Sequence, residues 1–191
     1  MKLNLLLSSG YTILIVVVVA LIVIFVGWAI SVVNTAKRMM IKIDEAESGI
    51  DVALTQRFDM LNKLFQAAKG YMKHEAETLQ KVVQMRQPKH TDSIESKQEF
   101  ADQITRGLNA INVVVEQYPD LKASKNVETL QNATIEIEEN LQAARRVYNA
   151  NVSRFNQFIV VFPNSIFTGK YQKRAFFEAE AVKRQDVTFD F

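Results

Sequence analysis

The chain has no cysteine among its 191 residues. That excludes disulfides, thiolate metal sites, a cysteine nucleophile and a lipidated N-terminal cysteine. Only three prolines and six glycines occur, too little punctuation for a turn-rich β protein, so long helices are expected. Charge of one sign is also lacking: 23 basic residues stand against 21 acidic ones, a net charge of +2. Lys2 is the only charged side chain before Asn34, so the remainder carries 22 basic and 21 acidic residues. Such a balance gives no global attraction to nucleic acid.

Hydrophobic residues make up 48% of the chain, but they are spread unevenly. Residues 11–33 read YTILIVVVVALIVIFVGWAISVV, without a charge. As a helix at about 1.5 Å per residue, this run is about 35 Å long, enough to cross a hydrocarbon core of about 30 Å. The β-branched stretch from Ile15 to Val19 is ambiguous in water. In lipid every backbone polar group needs an internal partner, and helix is the outcome. Tyr11 and Trp28 suit the two interfacial regions. A cleaved signal peptide has a shorter apolar core, about 7–15 residues, and a small-residue cleavage site. Trp28 and the Val32-Val33 pair fit such a site poorly, so a retained anchor is the expectation. Lys37, Arg38 and Lys42 follow the run, whereas only Lys2 precedes it. Positive-inside reasoning then predicts a single-pass protein with residues 1–10 outside and the C-terminal part cytoplasmic. Lys37, Arg38 and Lys42 either contact anionic headgroups, at about 1 kcal/mol each, or serve as topology signals alone.

Beyond the run, apolar residues recur at helical, heptad-like spacing. Ile43, Ile50, Leu54, Leu61, Phe65, Ala68, Met72, Leu79 and Val83 form one stripe, with no proline until Pro88. This predicts a first helix over 34–86, with Gly49 and Gly70 as its weak points. Asp92 and Glu95 form a capping pair for a second helix over 92–118, carrying Ala101, Ile104, Leu108, Ile111, Val115 and Tyr118. Pro119 ends it. A third helix over 124–162 carries Val127, Leu130, Ile137, Leu141, Tyr148, Val152, Phe155, Ile159 and Phe162, and Pro163 ends it. The spacing points to an all-α bundle over 34–162, in which short connections send the second helix back along the first. Residues 163–191 form a tail.

The lengths expected for these helices are about 80, 40 and 57 Å. A second helix that returns only halfway leaves the stem, 34–58, without an intrachain neighbour. Met39, Met40, Ile43, Ile50, Leu54 and Phe58 lie there, and exposed apolar surface of that kind marks an interface, so self-association into a homo-oligomer is expected through them. A break near Gly49, or a tail folded over the stem, would cover the same residues. In the tail, Phe176, Phe177, Val187, Phe189 and Phe191 are docking candidates, and the last six residues alternate polar and apolar. That alternation is either a strand signal or a frayed end whose phenylalanines dock on the bundle.

Chemistry-bearing motifs are few. His74-Glu75 has Thr78 where a zinc helix of the H-E-x-x-H type needs its second histidine. Tyr71 and Gln87 stand where a di-iron bundle needs glutamates. Glu136, Glu138 and Glu139 read as a solvated face rather than an acid/base pair. Arg57, Asp59, Lys69, Tyr71, His74 and Glu75 on the first helix, with Arg145, Tyr148 and Asn149 on the third, read first as a polar network fixing helix register and second as a partner-binding patch. No catalytic, cofactor or metal site is expected.

Residues 45–86 contain Glu45-Ala46-x-Ser48, Ile50-Asp51-Val52, Leu54, Arg57, Asp59, Lys69-Gly70-Tyr71, His74-Glu75 and Thr78-Leu79. A second block holds Tyr118-Pro119-Asp120-Leu121-Lys122-Ala123, Ala144-Arg145-Arg146-x-Tyr148-Asn149, Asn156 and Phe162-Pro163-Asn164, and the tail adds Phe177-Glu178-Ala179. In these features the chain closely resembles the LemA family of small bacterial membrane proteins. It departs from the family pattern at Asn62-Lys63, where the family often has proline and asparagine, so a proline kink is not expected. The resemblance implies a span followed by a four-helix antiparallel bundle in the bacterial cytoplasmic membrane. The fourth helix would come from a break in the first helix or from residues 176–184. The resemblance implies no catalytic activity and no cofactor. The expected function is a membrane-anchored scaffold that self-associates and organises membrane or envelope components. An accessory regulator of a membrane enzyme or envelope-stress component, bound as a protein partner, is the alternative. A pore is disfavoured because the span has no polar face.

Overall fold

In a computed structural model, residues 2–71 and 86–178 are described, with side chains from residue 11 onward. Five helices occur among the described residues: α1 Lys2–Ala68, α2 Ile94–Gln117, α3 Pro119–Lys122, α4 Lys125–Val160 and α5 Ser165–Thr168. No strand occurs among them. The fold is all-α, with one long apolar N-terminal helix followed by helices that pack together.

The chain divides into two compact units, Met1–Ile41 with Ser153–Arg174, and Lys42–Val152 with Ala175–Phe191. In the second unit, α1 and α4 run antiparallel. The Asn151 amide donates to the Lys42 carbonyl at 3.4 Å. A Cβ built at Gly49 would lie 4.0 Å from that of Ala144, and Arg57 pairs with Glu138 at 2.7 Å. One number falls as the other rises. Helix α2 is antiparallel to α4, with the Gln131 amide donating to Asn112 at 3.1 Å. It runs in the same direction as α1, however: Phe58 meets Phe100 and Tyr71 meets Tyr118, at centroid separations of 5.4 and 5.5 Å. The expectation that the second helix returns along the first is therefore corrected. The expected first helix to residue 86 also ends early. Its described helix closes at Ala68 in a turn through Gly70, where the Tyr71 amide donates to the Ala68 carbonyl at 2.9 Å. Glycine weakens a helix interior by about 1 kcal/mol, and the break takes the later of the two weak points. Residues 72–85, which include Met72, His74, Glu75, Leu79 and Val83, lie outside the described residues, and so does the tail from 179 onward with Val187, Phe189 and Phe191.

The stem argument fails for the same reason. Without the extra turns, the part of α1 from 34 to 68 is about 52 Å long and the 36-residue α4 about 54 Å, so α4 is the intrachain neighbour of the stem. Ile43 and Ile50 are 0% exposed, and Leu54 and Phe58 are buried, within one chain. Met39 and Met40 are half-buried. The four buried side chains are thus core, not a free self-association face. At about 1.5–3 kcal/mol for each fully buried large apolar side chain, they contribute to the bundle itself.

The N-cap of the second helix falls one residue later than expected. Ser93, not Asp92, is the N-cap of α2, accepting from the Ser96 amide at 3.3 Å. Asp92 instead accepts from the Lys89 amide at 2.8 Å. Tyr118 is extended, with φ −116° and ψ 100°, as a residue before proline should be, and Pro119 opens α3.

In the first unit every residue from Ile13 to Val26 is exposed, and none of the apolar window is buried. This helix is long and apolar enough to cross a membrane. Among the described residues of the unit, Val32, Ala36, Phe155, Ile159 and Thr168 are buried. Phe162, placed on the core stripe by its spacing, is 77% exposed, because α4 ends at Val160 and the chain turns away before it.

Candidate functional site

Two ion clusters hold the second unit together. Lys97 lies on the buried stripe of α2 between Ile94 and Ala101 and is 0% exposed. Its Nζ donates to Glu47 Oε1 at 2.7 Å and to the His90 carbonyl at 3.1 Å, and it lies 2.7 Å from Asp51 Oδ1. Asp51 Oδ2 in turn lies 2.6 Å from His90 Nδ1. Glu47 and Asp51 are one turn apart on α1, so both carboxylates reach the same ammonium. A buried lysine is tolerable only when paired in this way.

The second cluster is centred on Arg57, also buried. Its Nη1 donates to the Ala101 carbonyl at 3.2 Å and its Nη2 to Thr105 Oγ1 at 2.9 Å, while Glu138 Oε2 lies 2.7 Å from Nη2. One guanidinium thus ties α1 to both α2 and α4. The planar fork of arginine suits that task better than a lysine point charge.

The tail is held by side chains of α4. Asn149 accepts from the Phe177 amide at 2.9 Å and donates to its carbonyl at 2.8 Å. The Tyr148 hydroxyl donates to the Ala175 carbonyl at 3.1 Å, and the Arg145 guanidinium stands 4.6 Å over the Phe177 ring. Phe177 is 2% exposed, whereas Phe176 is 46% exposed. Beside Phe176 opens a cleft of about 730 Å³, whose lining includes Glu95, Glu99, Asp102, Arg106 and Glu178.

The expected polar network is accordingly split. Arg57 reaches α4 through Glu138, one of three glutamates read as a solvated face, while Arg145, Tyr148 and Asn149 serve the tail. Asp59 is exposed. Sequence reasoning missed Lys97, Glu47 and Asp51. The available signal was a lysine at a stripe position of α2, for which only a carboxylate from a neighbouring helix makes physical sense. Tyr11, Lys37 and Arg38 are exposed, and Trp28 is half-buried.

The family model described as LemA family matches residues 46–191. Protein LemA of Metamycoplasma hominis is 32% identical over 158 residues, covering 81% of this chain and 72% of that protein. The chain belongs to the LemA family. The LemA match begins inside the stem and takes in both ion clusters, Glu47 and Asp51 included, as well as the tail clamp. In this chain, the conspicuous polar residues of the second unit are therefore structural ties first: they join helices and fix the tail.

Proposed function

We propose that this LemA-family chain is a membrane-anchored interaction scaffold. The apolar run of α1 crosses the bacterial cytoplasmic membrane once, with a short N-terminus outside and the helical bundle in the cytoplasm. Its outer faces bind membrane or envelope components and further copies of the chain. The observation that carries this reading is that one helix, α1, holds both the exposed apolar run and buried core residues from Ile43 to Ala68. The orientation rests on Lys37 and Arg38 following the run. Contacts between copies use outward apolar positions such as Val52, Val113 and Val147, all exposed, because Ile43, Ile50, Leu54 and Phe58 of the stem face inward. No catalytic step, cofactor or nucleic acid belongs to this reading.

The test is the mass of the full-length protein extracted in mild detergent, with and without prior cross-linking in the membrane. A defined oligomer, alone or with envelope components, supports the scaffold. A monomer that brings one stoichiometric membrane protein with it replaces the scaffold with an accessory regulator. A monomer without companions overturns both.

A further inference from the structure

The first unit contains a built turn whose apolar side chains point away from it. After α4 ends at Val160, the chain passes through Val161, Phe162 and Pro163 into the short helix α5. The turn is tightly held. The Thr168 hydroxyl, buried, donates to the Ile159 carbonyl at 2.8 Å. The Asn156 side chain accepts from the Arg174 amide at 2.8 Å and donates to its carbonyl at 2.9 Å. The Phe155 and Tyr171 rings meet edge to face at 6.2 Å. Yet Val160, Val161 and Ile166 are more than half exposed, and Phe162 at 77% is more exposed than any other large apolar side chain described. Four such side chains on one ordered turn form the kind of patch that marks a contact surface.

Two observations say what covers it. Phe167 of the same turn packs on the apolar run: its ring lies 5.8 Å from Phe25 and 5.2 Å from Trp28, both edge to face. The turn therefore sits beside the part of α1 where an interfacial tryptophan is expected. The charge of the unit is also one-sided. All 21 acidic residues of the chain lie outside it, whereas Lys37, Arg38, Arg154, Lys170, Lys173 and Arg174 lie within it. An exposed apolar turn in a unit whose charged side chains are all basic matches an anionic bilayer surface, where each basic residue near the surface contributes about 1 kcal/mol.

We propose that the turn from Val160 to Phe167 is a second membrane contact, an apolar wedge that enters the leaflet beside the C-terminal end of the span. The backbone permits it. The amides of Val161, Ser165, Ile166, Phe167 and Thr168 all donate to carbonyls within the turn or the end of α4, at 2.9–3.3 Å, so few polar groups are carried unpaired toward lipid. With α1 crossing the bilayer and the wedge seated in it, the first unit is attached at two points rather than hinged on one helix. The proposal rests on the anchor reading above.

The absence of cysteine makes the test clean. Single variants Phe162→Cys and Ile166→Cys, with Val18→Cys in the span and Ile135→Cys on α4 as references, are labelled with an environment-sensitive NBD probe. The full chain is reconstituted in phosphatidylcholine–phosphatidylglycerol vesicles, with or without doxyl-labelled lipid. Probes at 162, 166 and 18 should be blue-shifted and lose emission to the doxyl lipid, and the probe at 135 should do neither. If 162 and 166 behave like 135 while 18 is quenched, the wedge is wrong and the anchor stands. A blue shift at 162 and 166 without quenching means that protein, such as a second copy, covers the turn, and this also overturns the wedge. Loss of quenching at 18 removes the anchor and the wedge together.

Discussion

Lys97 Nζ lies 2.7 Å from Asp51 Oδ1, with the lysine 0% exposed. Asp51 is shared with His90 at 2.6 Å, so the helix of the stem and the residues just before α2 meet at one carboxylate. Register between two parallel helices is poorly fixed by apolar contacts alone, because side chains of similar size repeat every turn. A buried charge that finds its partners at one setting only removes that ambiguity.

Replacing the lysine alone should therefore be severe. Lys97→Ala leaves Glu47 and Asp51 without their cation and removes a fully packed aliphatic stem, and it should cost about 3–5 kcal/mol. Lys97→Met combined with Glu47→Gln and Asp51→Asn should recover much of that loss, since an apolar or neutral substitute for a whole buried ion pair is often tolerated. Thermal unfolding of the full-length protein in mild detergent, followed by circular dichroism, reads both. A triple variant no better than Lys97→Ala would mean that the ions do more than balance one another.

The stem gives a second prediction, opposite in sense to the one that its sequence invites. Ile50→Asp places an unpaired carboxylate in a site with 0% exposure, which belongs to the class of changes costing more than about 4 kcal/mol. The bundle should unfold or melt far earlier, as seen in the helical signal at moderate temperature. A variant that keeps its melting point but loses mass would restore the stem as an interface between copies.

Which parts were legible follows from the kind of signal each left. The apolar run announced itself by length and absence of charge, and the stripes of α1, α2 and α4 by period, so Ile43, Leu61, Ile104, Leu141 and Val152 all proved buried. The direction of α2 was not legible. Periodicity reports which face of a helix is buried and says nothing of which way it runs. That was decided by where α1 stops, and a glycine at 70 and a glycine at 49 look alike in sequence. Lys97 was hidden because a lone lysine on a stripe reads as an error until its partners on another helix are known. Phe162 misled for the converse reason: it keeps the period of α4 by two residues after the helix itself has ended.

The tail clamp can be tested without touching the bundle core. Asn149→Ala removes both hydrogen bonds to Phe177, a local loss of about 1–3 kcal/mol. Amide exchange at Phe177 should accelerate about tenfold for each 1.4 kcal/mol lost, with the amides of Leu61 and Ile104 unchanged. Phe177→Ala should be more costly, about 3–5 kcal/mol, because the ring is buried and stands under Arg145. Equal acceleration at all three amides would show that the tail is part of one cooperative unit rather than a separately released strap.

Gly49 offers the one stabilising change. It lies within α1, whose described helix runs unbroken through it, and a Cβ there would meet only Ala144 Cβ at 4.0 Å. That is ordinary van der Waals contact, so Gly49→Ala should gain the helix preference of alanine, about 0.5–1 kcal/mol, and raise Tm by a few degrees. Gly70 is the control. It sits in the turn after Ala68, and a Cβ there would meet nothing within 4 Å. Gly70→Ala therefore has no contact to disturb and no positive φ to strain, so it gains only from the reduced freedom of the unfolded chain, up to about 1 kcal/mol, and should not lower Tm. If Gly49→Ala lowers Tm while Gly70→Ala does not, α1 and α4 approach more closely than 4.0 Å at this level, and Gly49 is kept for packing rather than left as a weak point.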